Sequence, residues 1–166
     1  MIVKSLEHLN SLSQKVAEKL SKNDCIFLIG EIGVVKSTFA RYLINYLQGK
    51  NGEKITEVLS PTFNLLYEYN LKNIKIMHYD LYRIKDDSEL KHLGIFSDQQ
   101  ETIKIIEWPQ LIDIPLFNKL EVHLDYAKNE NQREIKFFLI KYLFGINCIL
   151  TLATNLVAIS IWLKWS

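Results

Sequence analysis

The sequence predicts an α/β fold: a sheet flanked by helices, with a C-terminal β-hairpin and an apolar tail helix. Three observations predict it. Cys25 to Ile29 is a short continuous apolar run that ends on Gly30, as a buried strand should. Phe39, Tyr42, Leu43, Tyr46 and Leu47 recur at i, i+3, i+4, i+7 and i+8, which is one face of a helix. Between these segments stand two glycines (Gly30, Gly33), Lys36 and two hydroxyl residues (Ser37, Thr38). A buried strand, a tight loop and an amphipathic helix, in that order, is an arrangement that holds phosphate. Loop amides and the helix N-terminus direct partial positive charge at an anion.

The other elements follow in chain order. Leu9, Leu12, Val16 and Leu20 have helical spacing, so the segment from about Ser5 to Leu20 is read as an amphipathic helix. Ser11 and Gln14 offer a capping box inside it, which leaves the first turn open. Lys22-Asn23-Asp24 turns the chain into the loop strand, and the polar run Gln48 to Gly52 stops the loop helix. Ile55 to Tyr69 reads as β-like, with Ser60-Pro61-Thr62 in its middle and Phe63, Leu65, Tyr67 and Tyr69 alternating after it. Pro61 lacks a donor and predicts an edge or a bend. Ile74 to Tyr79 is the next strand and delivers Asp80 at its end. Asp87 to Leu93 is a short helix closed by Gly94. Thr102 to Ile106 is a strand that ends on Glu107-Trp108-Pro109, where the proline forbids continuation. Leu120, Val122, Leu124 and Tyr126 alternate, and Ile135 to Ile140 pairs back as a hairpin across Lys128 to Gln132. There is no internal repeat and no low-complexity linker.

The chain ends in an apolar tail of uncertain structure, expected over residues 138–166. Tyr142 to Leu163 contains no charged residue. That length permits a bilayer span of roughly 20 residues, with Trp162, Lys164 and Trp165 as an interfacial anchor. Asn147, Thr151, Thr154, Asn155 and Ser160 make the run only moderately apolar, so a C-terminal core helix is the plainer alternative.

Composition limits the function classes. The 166 residues suit one domain, and 48% hydrophobic with 23% charged residues is a globular mix. Twenty basic and 19 acidic groups leave a net charge of +1, so no global field steers the chain to nucleic acid. Cys25 and Cys148 form no metal-binding spacing, and Cys25 is read as a free core thiol, which fits a reducing compartment. The N-terminus shows no secretion signal, since Glu7 interrupts it and no apolar segment of the required length follows.

The loop itself departs from the phosphate-binding pattern G-x-x-x-x-G-K-[ST] at one position. Gly30, Lys36 and Ser37 match, while Val35 stands where the second glycine belongs. A β-branched residue there either strains the backbone or turns one amide away from the phosphate. Either outcome is expected to weaken nucleotide binding by about tenfold to a hundredfold. The bland alternative for the whole stretch is an ordinary strand-loop-helix connection. Lysine is an unfavourable residue at a helix start, and that argues for a bound anion.

Four short motifs stand at predicted strand ends: the loop Gly30 to Thr38, Ser60-Pro61-Thr62-Phe63, His78-Tyr79-Asp80-Leu81-Tyr82-Arg83, and Glu107-Trp108-Pro109-Gln110. In open α/β sheets, ligands lie off the carboxyl ends of strands, so Asp80 and Glu107 can face one site with Lys36 and Ser37. Together these form a set suited to a Mg²⁺-nucleotide. The combination resembles the bacterial tRNA threonylcarbamoyladenosine biosynthesis ATPase family, TsaE. The resemblance is carried by G-E-I-G-V-V-K-S-T, S-P-T-F, H-Y-D-L-Y-R-I, L-G-I, E-W-P-Q and L-E-V-H-L-D-Y, and it runs to about Phe137.

The resemblance implies that residues 1–137 form a P-loop ATPase-like domain, cytoplasmic and using ATP and Mg²⁺. It implies work with the threonylcarbamoyl-transferase subunit (TsaD) and its paralogous partner (TsaB), and contact with tRNA only indirectly. Carried over by position, Lys36, Asp80 and Glu107 would be catalytic. Lys36 would hold the β- and γ-phosphates. Ser37, Glu107 and Asp80 would serve the metal. Gly30, Ile32, Gly33, Val34, Val35, Ser37 and Thr38 would form the nucleotide loop, with Thr62, Trp108 and Arg133 beside it. Arg83 is expected to pair with nearby carboxylates, and His78 to be a satisfied, partly buried histidine. Three alternatives stay open: a non-catalytic relative that binds its partner without turnover, a membrane-anchored form, and a nucleotide kinase. The last lacks the compact basic lid such enzymes use.

Overall fold

The computed structural model describes residues 1–96, 101–112, 119–129, 131–143 and 146–152, the stretch beyond 140 at the level of the backbone. In chain order the elements are β1 (Ile2–Val3), α1 (Leu6–Ala17), β2 (Cys25–Ile29), α2 (Lys36–Lys50), β3 (Leu66–Leu71) and β4 (Ile74–Asp80). They continue with α3 (Asp87–His92), β5 (Thr102–Glu107), a 3₁₀ turn (Pro109–Leu111), β6 (Lys119–Tyr126), β7 (Arg133–Leu143) and β8 (Ile146–Leu152). The strands form one sheet in the order β1-β7-β6-β2-β5-β4-β3, with β8 paired to β7.

The four central strands β6, β2, β5 and β4 run parallel. Their register sets the site. Leu28 lies beside Glu107, and Asp80 lies beside the same Glu107 on the other flank, so three strands end level along one edge. Alternation then divides the side chains between the two faces. Ile26, Leu28, Ile76, Ile103 and Ile105 face the α1–α2 layer, where Leu9, Leu12, Val16, Phe39, Leu43 and Ile44 complete one core. Phe27, Met77, Tyr79 and Ile106 face the other way, onto a second cluster with Leu81, Leu90 and Ile95. Each such side chain, fully buried, contributes about 1.5–3 kcal/mol. Together they fix α2 against the sheet and hence fix where its N-terminus points. Cys25 is buried in this core as expected, and burial pushes its thiol up to about 12.

Helix α1 starts at Ser5, whose side chain accepts from the His8 amide at 3.1 Å; the inner Ser11–Gln14 box is not used. An earlier start lets Leu9 join the core. Helix α3 ends as predicted, with Gly94 at φ 66° just beyond its cap.

Two expectations need correction. The β-like stretch Ile55 to Tyr69 is regular only from Leu66, and Phe63 is 84% exposed. Pro61 begins a turn closed by the Leu65 amide on the Pro61 carbonyl, with Leu65 at φ 64°. That conformation cannot continue a strand. The second correction concerns the tail helix. Residues 146–152 form strand β8, antiparallel to the far half of β7 from Phe137 to Leu143. The β7 edge there offers unpaired backbone groups, and the β-branched Ile146, Ile149 and Thr151 suit a pleated ladder. β7 itself continues past Phe137 to Leu143. Trp162, Lys164, Trp165 and the rest of the proposed anchor lie outside the described residues. Among the described residues, no helix is long and apolar enough to cross a membrane.

Candidate functional site

The loop between β2 and α2 has a shape that few side chains tolerate. Gly30 has φ 151°, and a Cβ there would stand 2.1 Å from the Leu124 carbonyl oxygen of β6. Gly33 has φ 80°, and its Cβ would meet the Tyr126 hydroxyl at 2.6 Å. That hydroxyl donates to the Ile32 carbonyl at 3.0 Å. Arg133, at the start of β7, donates from Nη2 to the Gly33 carbonyl at 3.3 Å and lies over the Tyr126 ring at 4.4 Å. The β6–β7 hairpin thus clasps the apex of the loop from outside.

Val35 caps α2 with φ 69° and ψ 29° and makes no side-chain capping bond. The left-handed region suits glycine, and a branched Cβ there costs about 1–3 kcal/mol. Its surroundings hold it in place. Val34 before it is buried, Val35 itself packs on the main core cluster, and the Phe39 amide already bonds its carbonyl at 3.0 Å. Of the two outcomes open to the sequence, the chain takes the strained one and keeps the turn that a glycine would make.

Lys36 follows at the first position of α2, and its side chain is almost wholly buried. Nζ donates to the carbonyls of Gly30 at 2.8 Å and Glu31 at 2.7 Å, and sits 3.9 Å from the centre of the Trp108 ring. Burial lowers its pKa, and the charges of Glu107 and Asp80 oppose that shift. The Ser37 hydroxyl donates to Glu107 Oε2 at 2.9 Å. Glu107 is buried, and its Oε1 is 2.9 Å from His78 Nε2. Asp80 accepts from the Thr62 hydroxyl at 2.6 Å on Oδ2 and from the Tyr82 amide at 3.0 Å on Oδ1. Ser60 links the two groups, 2.9 Å from Thr62 and 3.4 Å from Ser37. Trp108, half-buried at φ 56°, packs against Tyr82 with ring centres 4.9 Å apart.

These groups line a cleft of about 370 Å³ that contains Ile32, Gly33, Val35, Lys36, Ser37, Thr38, Thr62, Asp80, Glu107 and Trp108. Three of the nominated residues stand elsewhere. Gly30 forms the base of the loop, and Val34 points into the core. Arg133 lies on the loop's outer side, in a neighbouring depression that shares Val35 with the cleft. The sequence motifs contain Ser60, Tyr82 and Tyr126 without giving them a role, and His78 is expected from them to be only partly buried. His78 is fully buried and bonded to Glu107. The signal was available: His78 is two residues from Asp80 on one strand, so both face the same side. Arg83 pairs with no carboxylate among the described residues; it lies over the Phe63 ring at 5.3 Å. Asp80, three residues before it, is turned inward by Thr62 and the Tyr82 amide.

The donor set fits a metal-bound nucleotide. A helix N-terminus and an ammonium supply positive charge for phosphate. One hydroxyl and one or two carboxylates is the protein share that Mg²⁺ takes when phosphates and water fill its other positions.

Known proteins resemble the chain over most of its length. The family model described as Threonylcarbamoyl adenosine biosynthesis protein TsaE matches residues 3–135. A Rickettsia conorii protein named tRNA threonylcarbamoyladenosine biosynthesis protein TsaE is 38% identical over 130 residues, covering 78% of this chain and 71% of its own. The Aquifex aeolicus protein of that name is 32% identical over 138 residues, covering 83% and 94%. The Bacillus subtilis one is 30% identical over 132 residues, covering 79% of each. The crystal structure of Bacillus subtilis YdiB superposes with a TM-score of 0.59 at 24% identity over 82% of each chain, a likeness of fold.

Proposed function

The chain belongs to the TsaE family of tRNA threonylcarbamoyladenosine biosynthesis proteins, and from that premise we propose that it is the ATPase of the modification system. On this reading it binds Mg-ATP in the cleft and hydrolyses it in the cytoplasm. It acts with the transferase subunit TsaD and its paralogue TsaB, and it meets tRNA only through them. A net charge of +1 accords with indirect contact, because phosphate binding draws on clustered cationic groups.

One observation carries the reading: Lys36, Ser37, Asp80 and Glu107, spread over 72 positions of sequence numbering from 36 to 107, converge on one cleft at the level ends of three strands. Catalysis of phosphoryl transfer is mostly positioning and charge stabilisation. Lys36 holds the β- and γ-phosphates, and the first turn of α2 adds its amides. Ser37 and Glu107 would hold the metal, which would supply charge neutralisation at the phosphate oxygens. Asp80, fixed at both oxygens by the Thr62 hydroxyl and the Tyr82 amide, would help order metal and water. Thr62 ties the loop after α2 to that acid, and Trp108 closes the cleft beside the Lys36 charge. Arg133 and Tyr126 keep the loop apex in shape.

Glu107→Gln tests the assignment. Glutamine keeps an oxygen for His78 and a polar atom for Ser37, so the apo protein should melt within a few degrees of the parent. Mg²⁺-dependent phosphate release, measured with TsaD and TsaB present, should fall by at least about tenfold. An unchanged rate would remove Glu107 from the metal site.

A further inference from the structure

His78 is third from the end of β4 and has no exposed surface, and its ring does something an apolar side chain could not. Backbone pairing sets His78 beside Ile105, two residues before Glu107 on the parallel strand β5. Both side chains face α2, so the ring reaches diagonally across the ladder to the carboxylate. Nε2 lies 2.9 Å from Glu107 Oε1, while Oε2 of the same carboxylate accepts the Ser37 hydroxyl at 2.9 Å. An ionised carboxylate only accepts, so this bond puts the proton on Nε2. The other ring nitrogen, Nδ1, is buried and has no hydrogen-bond partner among the described residues. A buried polar atom left unpaired destabilises a fold, and a leucine would fill the same space without one. The histidine is therefore a poor choice for packing alone, and its Nε2 bond is the feature that distinguishes it.

We infer that His78 is the positioning residue of the metal site: its Nε2–H holds one oxygen of Glu107 so that the other is presented to Ser37 and to a cation beside it. A glutamate has three rotatable side-chain bonds, and without this anchor Oε2 is held by a single hydroxyl. The inference rests on the Mg-nucleotide reading above and extends it to a residue that touches neither metal nor nucleotide. A group that orients a ligand from behind changes metal affinity by about 10–100-fold when it is lost.

The test is calorimetric titration of the full chain with a non-hydrolysable ATP analogue, with Mg²⁺ and again with chelator. The parent is compared with His78→Leu, His78→Gln and His78→Asn. Glutamine places an amide N–H at the reach of Nε2; asparagine is polar but falls short of it. The parent should bind more tightly with Mg²⁺. His78→Leu and His78→Asn should lose about tenfold or more of that gain, with metal-free affinity unchanged, and His78→Gln should restore most of it. If His78→Leu does not fold, the contrast between glutamine and asparagine carries the same prediction. Equal Mg²⁺ gain in asparagine and parent, or equal loss in glutamine and asparagine, overturns the inference. A parent with no Mg²⁺ gain at all is a different result, and it overturns the Mg-nucleotide reading on which the inference rests.

Discussion

Val35 has φ 69° in a loop whose pattern calls for glycine, and the consequence for binding depends on when that strain is present. The structure shows that strained turn in place. A strain common to free and bound loops cancels from the affinity, since only a difference between states can shift a binding equilibrium. We propose that free and bound loops share this turn, in which case the weakening expected from the sequence is not required. Val35→Gly should change nucleotide affinity by less than about threefold. Its effect falls on stability instead, where relief of about 1–3 kcal/mol of strain opposes about 0.5–1 kcal/mol of glycine entropy. Calorimetry on both proteins decides it; tightening of tenfold or more in the glycine variant would show that the parent loop relaxes away from this turn. At this scale the sequence was legible where spacing alone encodes chemistry, as for Gly30, Lys36 and Ser37. It was silent where a residue's role comes from a distant partner. Tyr126 reaches Ile32 across 94 positions, and His78 meets Glu107 across 29.

Elements were legible to the extent that their pattern admits one reading. The apolar spacing of α1 and α2 reads as helix, and both, with β4, appear within a few residues of their expected bounds. The apolar tail admits two readings, because a continuous apolar run does not distinguish a buried strand from a helix. A free edge on β7 decided for strand β8 over residues 146–152, and no local pattern reports a free edge. The placement of β8 also has a functional consequence. It pairs with the segment Phe137 to Leu143, while the site end of β7 is Arg133, clasped to Gly33. A chain ending after Leu143 should therefore stay folded and bind nucleotide as the full chain does. Loss of binding by a truncated protein with a normal melting transition would show that the tail supports the cleft.

At the scale of the molecule, the strand order was not legible. β2 pairs with β5 and β6, both far along the chain, and only that crossover brings Gly30, Asp80 and Glu107 to one edge. The sequence showed four motifs at strand ends; the parallel register makes them a single cleft. The central claim is that this cleft binds nucleotide phosphate despite its valine. The most direct measurement is calorimetric titration of the full chain with Mg-ATP analogue, alongside Lys36→Ala. A charge-assisted contact contributes roughly 1.5–3 kcal/mol. The account predicts saturable one-to-one binding that weakens at least about tenfold in Lys36→Ala, with both proteins melting alike. Equal affinity in the two proteins, or no binding by the parent, would contradict it.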